Sequence, residues 1–95
     1  MGVIKSFADK ETEKIWNTQR SGKLPWNIQQ RALNKLAMLD VARDLHDLHT
    51  PPSNHLEALS GTLKGFHSIR INNQWRLCFR WIEGNAHNVT IQDYH

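Results

Sequence analysis

Alternating apolar and polar residues in the last third of the chain constrain its fold more than any other feature. The alternation runs through residues 66–71, 75–82 and 87–95, and short stretches rich in Asn and Gly separate these segments. Strict alternation is typical of strands that bury one face, and short connections are typical of antiparallel hairpins. The sequence therefore predicts a three-stranded antiparallel meander whose apolar face needs a covering layer.

The first half of the chain can supply that layer. After an alternating segment at Val3–Phe7, which predicts one further strand, Asp9 can cap a helix that runs to about Asn17. We expect Asn27 to cap a second, longer helix, which continues weakly towards Leu45. Its apolar residues recur at helical spacing: Ile28, Ala32, Leu36 and Leu39. The predicted class is α+β, with two helices packed on one face of a mostly antiparallel sheet.

Length and composition limit the protein class. With 95 residues the chain forms one domain, residues 1–95, and its 39% hydrophobic and 22% charged content argues against disorder. No apolar run reaches the length of a membrane span, and the N-terminus lacks a signal-peptide core. The single Cys78 excludes an internal disulfide and favours a reducing compartment, so we expect a cytoplasmic protein.

Matching the strand faces predicts which polar side chains meet. A loop at Asn72–Gln74 buries both apolar faces together and places Arg70 opposite Arg76. A loop at Gly84–Ala86 then places Tyr94 opposite Arg76, which gives an open-face row of Arg70, Arg76 and Tyr94.

Arginines directly opposite each other repel unless an anion lies between them. The net charge is only +3, but most acids lie before residue 60. After it, Lys64 and three arginines stand against only Glu83 and Asp93, which predicts a positive face on the C-terminal sheet. Planar guanidinium groups suit phosphate oxygens, so Arg70 and Arg76 are candidates for a phosphate site. In the alternative interpretation, each arginine lies outward along the sheet or pairs with Asp93 or Glu83.

Several segments together resemble the HigB branch of the RelE/ParE toxin superfamily, the toxin halves of bacterial toxin–antitoxin pairs. The resemblance covers nearly the whole chain. It is carried by Ile4–Phe7, Leu56–Gly61, His67–Asn72, Gln74–Phe79 and the closing Asp93-Tyr94-His95. Family chains begin with Met directly before the Ile-Lys-Ser-Phe start, so we expect Gly2-Val3 to be an added leader.

The resemblance implies a RelE-like β-α-α-β-β-β fold and a ribosome-dependent endoribonuclease, an mRNA interferase that inhibits translation by cutting mRNA in the decoding site. It also implies neutralisation by a HigA-like helix-turn-helix antitoxin, through which alone the complex would bind operator DNA. Ribosome and mRNA are the other implied partners, and we expect no cofactor, no metal and no membrane.

The mechanism predicts roles for individual residues. Arg70 and Arg76 would hold the phosphate, His95 or Asp93 would transfer a proton, and Tyr94 would position or stack on a base. Candidates for RNA contact outside the reacting centre are Lys64, Arg80 and His55.

The chain departs from the family pattern in one loop. Some members carry His and Lys there, both serving cleavage, whereas this sequence has Glu57 and Ser60. The change implies weaker cleavage, or a larger share for the arginines and His95. It also leaves open a non-cleaving ParE-like inhibitor or an RNA-binding module that uses the same sheet. His67 is predicted to pack in the core rather than to take part in catalysis.

Overall fold

Two helices cover one face of an antiparallel sheet, as predicted for an α+β chain. The computed structural model describes residues 2–93. Helix α1 spans Lys10–Trp16 and helix α2 spans Trp26–Asp40. The sheet has four strands in the order β1-β2-β3-β4: Glu57–Ala58, Phe66–Arg70, Trp75–Ile82 and Asn85–Asp93.

The cap of α1 also attaches the helix to the last strand. The side chain of Asp9 accepts a hydrogen bond from Thr12 N at 2.7 Å, which confirms the predicted cap. The other carboxylate oxygen of Asp9 accepts from the hydroxyl of Thr90, and Ile91 N donates to the Thr12 hydroxyl at 3.0 Å. Helix α1 is therefore fixed to β4 by polar contacts as well as by apolar packing.

Helix α2 begins one residue before the predicted cap. Pro25 occupies the N-cap position and no side chain caps the helix, so the prediction of an Asn27 cap is wrong. Gln29 anchors this end instead, since its amide donates to the carbonyls of Ser21 and Leu24 at 2.9 Å. The predicted weak continuation is absent, because the helix ends at Asp40 and a short 3-10 helix at Leu45–His49 follows.

The first hairpin has the predicted register, whereas the second does not. Arg70 pairs with Arg76, which confirms the first predicted register. The second hairpin turns at Glu83 and Gly84, both with positive φ, and a bulge near Asn88 follows. Consequently Arg76 pairs with Gln92 rather than with Tyr94, and that predicted pairing is wrong. Between Trp75 and Cys78 the displacement is two residues, so the side chains paired there keep their predicted faces. Beyond the bulge it is three residues, which places His87 on the face of Arg80.

The edges of the sheet differ from the predicted ones. Residues 3–8 form no strand but make isolated parallel bridges to β4, from Ile4 to Ala86 and from Phe7 to Val89. At the other edge the short β1, which the alternation did not predict, pairs with β2 and places Glu57 opposite Ser68. This unpredicted strand brings the segment around residue 57 next to the arginine pair.

The core lies between the helices and the inward face of the sheet. It is formed by α2 residues such as Leu36 and Leu39 together with Ile69, Leu77 and Phe79, all fully buried. The ring of His67 stacks on Phe79, with centroids 6.4 Å apart, which confirms its predicted packing role. No helix within residues 2–93 combines the length and apolar character needed to cross a bilayer.

Candidate active site

Arg76 is held firmly on the polar face of the sheet. The residue is buried, and its Nε donates to the hydroxyl of Ser68 at 2.7 Å. One terminal nitrogen donates to the carbonyl of His55 and, at 3.3 Å, to that of Ser68. These bonds fix the orientation of the guanidinium before any ligand arrives, which is the arrangement that favours electrostatic catalysis.

Glu57 lies next to this arginine. The pairing of β1 with β2 turns Glu57 to the same face as Arg76, and its Oε1 lies 3.7 Å from Arg76 Nη1. The carboxylate side chain is 45% exposed, whereas that of Arg76 is 6% exposed. A residue interpreted from the sequence as the loss of a basic group therefore places a solvent-accessible carboxylate in the site.

A cleft of about 240 Å³ opens where these residues meet. It is lined by His55, Glu57, Arg70, Asn72, Asn73 and Arg76. Arg70 donates to the side-chain oxygen of Asn73, and Asn72 Oδ1 accepts from Gln74 N at 2.9 Å and from Trp75 N at 2.8 Å. The hairpin loop thus holds Arg70 against the cleft, so both predicted phosphate ligands line one cavity.

Of the three residues predicted to contact RNA outside the reacting centre, only His55 lines the cleft. Arg80 pairs with Phe66, and its guanidinium carbon lies 5.8 Å from the centroid of that ring. Arg80 lies four positions after Arg76 along the strand, a distance of about 13 Å. Lys64 is exposed just before β2. Both cations therefore lie at the far end of the polar face, away from the arginine pair.

The C-terminal residues are only partly described. Asp93 pairs with Trp75, so its side chain lies on the other face of the sheet from that of Arg76. Its Oδ2 accepts from the amide of Gln74 at 3.2 Å. The predicted roles of Tyr94 and His95 fall outside residues 2–93. Within those residues, the cross-strand row on the polar face consists of Arg70, Arg76 and Gln92.

Neither an activated cysteine nor a metal site is found among the described residues. Burial raises the pKa of the Cys78 thiol, with the charge of Arg76 opposing the shift, so the thiolate is disfavoured. Within residues 2–93, no three His, Cys, Asp or Glu side chains gather where they could hold a metal ion. The cleft therefore offers guanidinium, carboxylate, imidazole and amide groups, a set suited to binding phosphate and moving protons.

Sequence comparison connects this geometry to a known family. Residues 5–95 match the family model described as "RelE-like toxin of type II toxin-antitoxin system HigB". The chain is 42% identical over 89 residues to Toxin HigB-1 of Vibrio cholerae, covering 93% of this chain and 94% of that protein. It is 28% identical over 93 residues to Endoribonuclease HigB of Proteus vulgaris, covering 98% and 100%.

Structural comparison extends the fold relationship to more distant proteins. A crystal structure of a variant of YafQ from E. coli superposes with a TM-score of 0.60 at 15% identity. The match covers 98% of this chain and 93% of the YafQ chain. At this identity the likeness concerns the fold alone, and it supports the RelE-like arrangement of helices and sheet.

Proposed function

Because this chain belongs to the HigB family of RelE-like toxins from type II toxin–antitoxin systems, we propose that it is a ribosome-dependent endoribonuclease that cuts mRNA. The observation that carries the proposal is the cleft in which Arg70 and Arg76, paired across two strands, stand beside Glu57. The similarity to an endoribonuclease of Proteus vulgaris supports the same reaction.

The arginine pair would bind the scissile phosphate. Two guanidinium groups directly opposite each other favour an anion between them, and Arg76 is already oriented by Ser68 and His55. Their charge would stabilise the dianionic phosphorane formed when the ribose 2′-oxygen attacks. Removing one such donor typically costs about 2.7–4 kcal/mol of transition-state stabilisation.

Cleavage without a metal also requires two proton transfers. The 2′-hydroxyl must lose a proton, and the exposed carboxylate of Glu57 lies in the cleft where it can accept one; His55 is the other titratable acceptor that lines this cleft. We assign the proton delivered to the leaving 5′-oxygen to His95, and base stacking to Tyr94. Asp93 receives no step, because its side chain lies on the other face of the sheet from Arg76. Lys64 and Arg80 would contact the RNA backbone further along the polar face.

A toxin of this family implies an antitoxin partner. We propose a HigA-like helix-turn-helix protein as the neutralising partner, and we expect operator DNA to be bound only through that complex. Burial of the cleft by the antitoxin would explain neutralisation, because the arginine pair must be open to accept a phosphate.

Primer extension on a defined mRNA tests the proposed reaction. Purified protein is incubated with the mRNA alone and with ribosomes translating it, in parallel with Arg70→Gln and with Arg43→Gln, an exposed control that lies outside the cleft. We expect codon-phased cuts only with ribosomes, reduced about 100- to 1,000-fold by Arg70→Gln and unchanged by the control. Intact mRNA in this assay, together with arrested DNA replication in cells that express the chain, would instead support a ParE-like inhibitor. RNA binding without cuts would support a binding module.

A further inference from the structure

A second cleft lies on the other side of Arg70. Its volume is about 310 Å³, and it is lined by Arg31, Lys35, Ser53, Arg70, Ile71, Asn72 and Asn73. This lining contains cations, a hydroxyl and amides but no carboxylate. Within residues 2–93, no acidic group lies within ion-pair distance of the three cations of this cleft, Arg31, Lys35 and Arg70. The cleft is thus positively charged and rich in hydrogen-bond donors.

The two helical cations are close neighbours. Arg31 and Lys35 are four residues apart on α2, a spacing that places their side chains on one face of the helix. Partial burial, and secondarily the charge of Arg31, lower the pKa of Lys35. An anion between these side chains would relieve their repulsion, and the pKa of Lys35 would rise on binding.

A buried amide fixes the position of Lys35. Its Nζ donates to Asn54 Oδ1 at 2.6 Å. Asn54 is completely buried, and its own amide donates to the carbonyls of Leu48 at 3.1 Å and Thr50 at 3.4 Å. The ammonium group is therefore held at the cleft by the folded 45–54 segment, which distinguishes it from a freely moving surface lysine.

We propose that the cleft bounded by Arg31, Lys35 and Arg70 binds a backbone phosphate of RNA next to the scissile one. This proposal rests on the proposed endoribonuclease function. The two clefts share Arg70, Asn72 and Asn73, so a strand whose scissile phosphate lies between Arg70 and Arg76 continues directly into the second cleft. A polymer with a phosphate at each nucleotide satisfies both clefts, whereas a single acidic side chain satisfies one.

Binding measurements can separate this subsite from the reaction itself. The test variant is Arg31→Gln/Lys35→Gln, and the control is Lys10→Gln/Lys23→Gln, which removes the same charge from exposed positions outside both clefts. One arm titrates a 2′-O-methyl RNA 12-mer, which cannot be cleaved, and the other titrates vacant ribosomes. Because Lys35 also contacts Asn54, the single variant Arg31→Gln is measured alongside, and circular dichroism verifies folding.

Loss of one phosphate contact lowers the salt dependence of log K for single-stranded RNA by about 0.7, which corresponds to about fivefold weaker binding at 0.1 M salt. We expect this loss for the double variant, a smaller loss for Arg31→Gln, and less than a twofold change for the control. A loss seen with the oligonucleotide assigns the phosphate to the substrate strand. A loss seen only with ribosomes would assign the cleft to ribosomal RNA and overturn its assignment to the substrate strand.

Two further results would overturn the subsite. If the wild-type protein binds RNA and the double variant binds it equally well, the subsite is wrong while the proposed function stands; weaker binding of the antitoxin by that variant would then assign the cleft to a protein partner. If the wild-type protein binds neither the oligonucleotide nor ribosomes, the subsite and the proposed function both fail.

Discussion

The carboxylate of Glu57 lies 3.7 Å from the guanidinium of Arg76, across a strand pairing that the residue pattern alone did not reveal. The contact has two chemical consequences. It keeps a cation and a proton acceptor in one small cleft, and it leaves the acceptor exposed enough to meet a substrate. Whether Glu57, which replaces a basic residue of the family pattern, takes part in cleavage can therefore be tested directly.

Glu57→Gln removes the proton acceptor and keeps the side-chain shape. General-base catalysis is typically worth about 10²–10⁴-fold, so we expect cleavage in the primer-extension assay to slow by at least about 100-fold. The free energy of unfolding should change by less than about 1 kcal/mol, because the carboxylate is partly exposed. Glu13→Gln, an exposed change of equal charge, serves as the control. A Glu57→Gln rate within twofold of wild type would restrict Glu57 to pairing with Arg76.

Arg76→Ala should cost both stability and activity. The buried guanidinium bonds to Ser68 and His55, and each such bond is worth roughly 1 kcal/mol, so urea unfolding should show a loss of about 2–4 kcal/mol. Arg80→Ala removes an exposed arginine near the Phe66 ring and should cost less than about 1 kcal/mol. Equal losses from the two substitutions would contradict a structural role for Arg76.

Asn54→Ala should affect RNA binding although Asn54 lines neither cleft. The substitution leaves two carbonyls without their donor and releases Lys35, at a cost of about 1–3 kcal/mol in urea unfolding. Affinity for the 2′-O-methyl RNA should fall as well, towards that of the Arg31→Gln/Lys35→Gln variant. The exposed Asn34→Ala is the matched control, and unchanged RNA affinity in folded Asn54→Ala would argue against positioning of Lys35.

His67 should make stability depend on pH. Burial lowers its pKa below the ordinary 6.5, and its Nδ1 has no hydrogen-bond partner within residues 2–93. As the pH falls through about 6.5, the unfolded chain takes up a proton that the folded chain does not, so the free energy of unfolding decreases on acidification. His67→Phe, which keeps the stacking on Phe79, should flatten this dependence. Exposed His46→Gln should not, and an identical slope in all three proteins would refute the assignment.

Glu83→Asn should stabilise the second hairpin. Glu83 has φ of 49° and Gly84 has φ of 79°, a two-residue turn in which Asn-Gly is strongly preferred. We expect the free energy of unfolding to rise by about 0.5–1 kcal/mol and Tm by several degrees in calorimetry. Glu83→Gln gains no preference for the left-handed region and should melt like wild type. A Tm unchanged by Asn would show that the turn does not limit stability.

Local chemistry accounts for the features that were predictable from sequence. Asp9 caps α1 through a residue three positions away, and the loop at 72–74 sets the Arg70–Arg76 register through the burial of adjacent apolar residues. Both features depend on interactions between residues that are close together in the sequence. Such interactions are visible in a single sequence because spacing alone determines them.

The features that could not be predicted depend on distant contacts or on unusual backbone angles. Asn88 adopts φ of 53° within a bulge, and Glu83 occupies a left-handed position usually taken by Asn or Gly. The second register therefore differs from the predicted one by two residues at Arg76 and by three beyond the bulge. Glu57 reached the site through a two-residue strand, and Arg31 and Lys35 through the packing of α2 beside the hairpin loop. Periodicity contains no signal for these placements.

The attachment of residues 3–12 to β4 has a consequence for biosynthesis. Ser6 Oγ accepts from Asn88 N at 2.9 Å, and the cap of α1 closes on Thr90 and Ile91, contacts that span about 80 positions of the chain. Contacts of such high sequence separation require both ends of the chain to be present and tend to slow folding. A nascent chain therefore cannot complete its core until β4 has been translated, and a product truncated before Asn85 would lack the strand on which its first helix depends.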